Sequence, residues 1–109
     1  MNYTFTINGK TYKAKELTYN FMCEMEEHGV QIYDIDKKPM SLGREYFALC
    51  AGVDSETAGA EIEQHIIGGG DLSGLYEALA ESVNESGFFK AMANQGKAEV
   101  TAIPKKKEK

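Results

Sequence analysis

The chain has 109 residues, a mass of 12.0 kDa and a formal net charge of −5, with 42% hydrophobic and 27% charged residues. That is one ordinary globular domain, with no length for a second and too much apolar content for a wholly disordered chain. No apolar run approaches the ~18 residues that a membrane span needs. The charge is uneven: residues 1–95 hold 7 Lys/Arg and 15 Asp/Glu, and residues 96–109 hold 5 Lys and 2 Glu. An acidic body of net −8 disfavours nucleic-acid binding, because it repels phosphate backbones.

In chain order, Tyr3, Phe5 and Ile7 alternate with Thr4 and Thr6, and Asn8-Gly9 follows. Asn-Gly favours a tight hairpin turn, since both central residues of that turn take positive φ. Lys10-Thr11-Tyr12-Lys13-Ala14 is the return strand. Its face, with Tyr3, Phe5 and Ile7, needs helices or another chain to cover it, because a lone hairpin is marginal in water. Thr18 is the expected cap of a helix carrying Leu17, Phe21, Met22 and Met25 on one stripe, with Glu24, Glu26 and Glu27 in solvent and Gly29 at its end. Val30-Gln31-Ile32-Tyr33 reads as a short third strand.

Ser41 is the expected cap of a helix over 42–52, with Leu42, Tyr46, Leu49, Cys50 and Val53 facing in and Gly52 as its stop. Asp54 or Ser55 caps a helix to Ile67, with Ala58, Ile62, His65 and Ile66 inward; Gly59 weakens it by ~1 kcal/mol relative to Ala. After Gly68-Gly69-Gly70, Asp71 caps a helix with Leu72, Leu75, Tyr76, Leu79 and Val83. Ser86-Gly87 separates a last short helix, Phe88–Ala93. From Gly96 the composition predicts a disordered, Lys-rich tail. The expected fold is α+β: one domain over 1–95, with an N-terminal hairpin, four to five short helices and a flexible basic tail over 96–109.

Little in the sequence carries chemistry. His28 and His65 lie 37 residues apart, and Cys23 and Cys50 lie 27 apart, so no paired ligand spacing for zinc exists. Both cysteines sit in helical apolar patterns and read as small hydrophobes in a reducing compartment. Gly68-Gly69-Gly70-Asp71 precedes a helix but lacks the Lys of a phosphate loop, and Asp71 repels phosphate. Asp34-Ile35-Asp36 lacks the Gly and Glu of a calcium loop. The carboxylates at 24, 26, 27, 61 and 63 read as solvated faces. Phe88-Phe89 with Met92 reads first as core packing, but adjacent aromatics cannot both face one core stripe, so this end is also the main candidate contact surface. Ile32 and Tyr33 are the second candidate, in the loop that also holds Val30.

The segment Leu17-Thr18-Tyr19-Asn20-Phe21-Met22-Cys23-Glu24-Met25-Glu26-Glu27-His28-Gly29, after a hairpin with Asn8-Gly9-Lys10, resembles the opening of small tail assembly chaperones of long-tailed bacteriophages and prophages. The helix with Arg44, the Ala58-to-Gly68 helix and the Ser86-Gly87-Phe88-Phe89 close are also similar to the family, so the likeness covers roughly residues 3–95. The resemblance implies a non-enzymatic assembly factor without a cofactor or metal. It would bind the tape measure protein during tail morphogenesis, with the tail tube protein as a second candidate client. Its place would be the cytoplasm of the bacterial host, with no part in nucleic-acid or membrane binding. The N-terminus, without a basic start or an apolar stretch, agrees with that compartment. The alternatives are a partner-binding adaptor or a structural head–tail protein encoded by a mobile element. A small enzyme is the weakest, because no convergent polar constellation is visible.

Overall fold

The hairpin forms as its turn chemistry dictates. In the computed structural model, which describes residues 3–94, β1 (Thr4–Ile7) pairs antiparallel with β2 (Lys10–Lys13) in the register Phe5↔Tyr12 and Ile7↔Lys10. Asn8 at φ 54° and Gly9 at φ 83° make the expected tight turn. Phe5, Ile7 and Ala14 are buried, and Tyr3 and Tyr12 half-buried. The hairpin packs on three of the helices that follow, which supply the cover it needs.

Helix α1 (Tyr19–Glu27) starts where Thr18 Oγ1 accepts the Phe21 N–H at 3.1 Å. It ends in a closed reverse turn: Gly29 N–H bonds Glu26 O at 2.9 Å and Val30 N–H bonds Met25 O at 3.0 Å. Only a residue tolerant of φ 86° serves at position 29. Leu17, Phe21, Met25 and Val30 are buried as one stripe.

The expected third strand is not formed. Ile32–Ile35 instead make a single 3₁₀ turn, in which Asp34 Oδ2 accepts the Gln31 N–H at 2.8 Å. The side chain of Asp34 offers the backbone a local alternative to a strand ladder.

Helix α2 (Pro39–Ala51) begins earlier than Ser41 suggests, because Pro39 occupies its first position, where a missing N–H is harmless. Its end at Gly52, φ 74°, is as expected. α2 is the central helix: Leu42, Gly43, Glu45, Tyr46, Phe47 and Ala48 are all buried. The inward stripe read from the sequence therefore understates it. Phe47 meets Phe5 at 6.0 Å and Tyr12 at 5.0 Å, both edge to face, while Val53, expected inside, is exposed. Gly43 lets Tyr76 approach, since a Cβ there would lie 2.7 Å from the Tyr76 hydroxyl, which donates to Pro39 O at 2.6 Å.

Helix α3 (Ser55–Ile67) is capped by Asp54, whose Oδ1 accepts the Thr57 N–H at 2.7 Å. Helix α4 (Ser73–Asn84) starts two residues after Asp71, and Leu72 holds the cap position. Asp71 acts one step earlier, accepting the Ser73 N–H at 3.1 Å and its hydroxyl at 2.8 Å. The break at Ser86-Gly87 is real and α5 (Gly87–Asn94) follows it. Buried Ser86 donates to Leu17 O at 2.8 Å and accepts the Phe89 N–H at 3.1 Å, tying α5 to the approach to α1. The expected tail over 96–109 lies outside the described residues. No described helix is long and apolar enough to cross a membrane.

Candidate functional site

The sequence singled out five contact residues, and the structure places them on two supports. Ile32 is half-buried against the core and Tyr33 is exposed, both in the 3₁₀ turn that packs on α2. Phe88, Phe89 and Met92 are half-buried on α5, which packs on α4. Phe89 joins the core margin. Phe88 turns its ring against exposed Tyr19, centroids 5.6 Å apart, and against Phe89 at 5.4 Å. Two adjacent aromatics thus divide between the core and a small aromatic surface with α1.

A second exposed apolar surface lies elsewhere. Met40 is 83% exposed, Ile67 69% and Ile66 49%. They line an open groove of about 540 Å³ with Ser41, Arg44, Gly59, Ile62, Glu63 and Leu72. α2 contributes its first turns and α3 its last two.

The reason is the angular width of the apolar set on α3. At about 100° per residue, Ile62 lies some 40° from Ala58, but Ile66 lies some 80° and Ile67 some 180° away. Ala58 is fully buried and Ile62 half-buried, whereas Ile66, expected inside, is turned out with Ile67. Gly68-Gly69-Gly70 then follows without a side chain to cover them. The glycine at 70 has its own task. A Cβ there would lie 2.5 Å from the His65 ring. His65 Nδ1 accepts the Asn8 N–H at 2.9 Å and its Nε2 faces Asp71 O at 2.8 Å, where it donates. The neutral ring therefore clamps the hairpin turn to the α3–α4 linker, and His65 packs sideways instead of into the core.

Beside the groove sits a polar centre that the sequence reading missed. Glu45 is 1% exposed. Its Oε1 accepts from His28 Nδ1 and from Ser55 Oγ, each at 2.6 Å, and its Oε2 accepts from Arg44 Nε at 2.7 Å. Burial pushes this carboxyl up, but the hydrogen bonds from Ser55, His28 and Arg44 outweigh it and hold the group below its ordinary value. Ser, His and Glu together suggest hydrolysis, yet the geometry differs from a catalytic triad. Both Ser55 and His28 donate to the same carboxylate oxygen, so the histidine orients no base toward the serine. The arrangement joins the end of α1, the middle of α2 and the start of α3.

Cys50 is half-buried and its thiol is pushed up by burial, away from the reactive thiolate. Among the described residues, no three His, Cys, Asp or Glu side chains converge to hold a metal ion. No family model, no curated protein and no solved structure matches the chain.

Proposed function

We propose that the protein is a tail assembly chaperone of a long-tailed phage or prophage, acting without catalysis. Its client is the tape measure protein, with the tail tube protein as a second client, met in the cytoplasm of the bacterial host. Two things support this reading. One is the resemblance of residues 3–95, carried by the Leu17-to-Gly29 segment and the Ser86-to-Phe89 close. The other, which carries it physically, is the open α2–α3 groove with Met40, Ile66 and Ile67 uncovered.

A factor that holds an apolar client reversibly needs apolar surface that its own fold does not close. The groove is such a surface, whereas the core around Tyr46 and Phe47 is fully buried. Client side chains entering it would shed water against Ile62, Ile66 and Leu72, at roughly 25 cal/mol per Å² of apolar area covered. The acidic body keeps the complex soluble and away from nucleic acid.

The test is co-expression of the tagged protein with the product of the large reading frame that follows its gene. Rescue of that product into the soluble fraction, with co-elution at moderate salt, is expected. Absence of both overturns the chaperone reading and leaves the adaptor or head–tail roles.

A further inference from the structure

We infer that the α2–α3 groove takes an amphipathic helix whose apolar stripe is flanked by lysine or arginine, with that cation paired to Glu63. The inference rests on the chaperone reading only in taking the groove as the client site; the chemistry of the occupant comes from the groove itself.

The occupant is a helix for a backbone reason. The groove walls are two helices, whose peptide groups are bonded within each helix, and the lining offers no free strand edge. An extended peptide laid there would leave its own N–H and C=O groups without protein partners, whereas a helix brings them already satisfied. The length agrees. Gly59 to Ile67 is nine residues, a rise of about 12 Å along the helix, which spans the i, i+3/i+4, i+7 positions of a partner stripe. Gly59 leaves room at the floor, where the Arg44 stem runs alongside α3. Met40 at the rim is unbranched and adapts to differing side chains.

The sign of the flanking charge follows from what the lining has already used. Two charged side chains line the groove, Arg44 and Glu63. The guanidinium of Arg44 is committed to buried Glu45 at 2.7 Å. Glu63 has no ion pair with any described residue. α3 carries no lysine or arginine, and its Glu61 is turned to the hairpin, where it accepts from Asn8 Nδ2 at 3.0 Å. The uncompensated charge along the groove is therefore negative, which favours a cation on the partner and disfavours acidic helices and anionic lipid headgroups.

The experiment uses two synthetic 18-residue amphipathic helices with the same leucine stripe, one flanked by lysine and one by glutamate, each labelled for fluorescence anisotropy. The wild-type protein is expected to bind the lysine peptide in preference by about threefold to fivefold. Glu63→Lys should invert that preference. Ile66→Ser should weaken both peptides by about tenfold, with an unchanged circular dichroism spectrum and melting midpoint. Equal binding of the two peptides, no binding of either, or a preference untouched by Glu63→Lys overturns the inference. So does capture of phosphatidylglycerol vesicles through the groove, or a concentration-dependent dimer that Ile66→Ser dissolves, which would give the groove to a second copy. Tape measure co-elution that survives Ile66→Ser overturns this inference alone. Peptide binding as expected without co-elution overturns the tape measure reading alone.

Discussion

Arg44 stands between two neighbourhoods that α2 and α3 build in opposite ways. On one side its Nε meets Glu45, where a buried carboxylate has three donors from three elements and leaves nothing open. On the other its stem borders the groove, where Met40, Ile66 and Ile67 stay in solvent. A polar group under the surface must be satisfied or the fold loses free energy, so the Glu45 centre is closed by necessity. Apolar surface in water is tolerated in small amounts, so the groove can stay open for a partner. Stability and binding should therefore separate between residues of the same two helices.

The sharpest way to break that contrast is Glu45→Ala. It leaves Ser55, His28 and Arg44 without their shared acceptor and should cost about 2 kcal/mol, read as a lower urea midpoint, because three hydrogen bonds to a charged group are lost while half-exposed His28 and Arg44 regain water. A loss below about 1 kcal/mol would mean that the centre is not structural. Acid should act on the same group. Glu45 is held below its ordinary value of 4.5, so its contribution is present above that pH and is lost as pH falls through the lower folded value. Asp54 and Asp71, held low by the hydrogen bonds from Thr57 and Ser73, have the same sign. Urea midpoints should fall between about pH 5 and about pH 3, and less steeply in Glu45→Gln.

Ser55→Ala removes one donor of three and should cost about 1 kcal/mol in the same titration. Gly59→Ala should stabilise by about 0.5–1 kcal/mol, because the new Cβ meets Arg44 Cδ at an ordinary 3.5 Å and helix propensity improves. The same methyl narrows the groove floor, so a variant that melts higher and binds the lysine-flanked peptide less well would set the two neighbourhoods against each other directly. Ile67→Ser is the smallest stability effect, within about 0.5 kcal/mol by melting midpoint, since the side chain is 69% exposed.

The groove was hidden in the sequence for a reason that Ile66 illustrates. A residue four after Ile62 on an apolar helix reads as core, and the periodicity alone cannot say where the buried sector stops. The Glu45 centre was hidden because a glutamate on α2 beside Arg44 has no sequence mark of its other two partners, which stand 17 residues before it and 10 after. The Ile32-Tyr33 stretch misled as a strand because the bond from the Gln31 N–H to Asp34 Oδ2 that sets its turn is local and competes with β pairing.

By itself the sequence determined the local elements. The Asn8-Gly9 turn, the Thr18 and Asp54 caps, the stops at Gly29 and Gly52 and the break at Ser86-Gly87 all follow from short-range backbone chemistry that needs no distant partner. Only the tertiary structure decided which faces are closed. α2 is central because the hairpin, α3 and α4 all pack on or around it, Glu45 is buried because three elements meet there, and Ile66 and Ile67 are open because the glycines after α3 have nothing to lay over them. Burial is a property of the whole packing, and one chain segment carries only half of each contact that makes it.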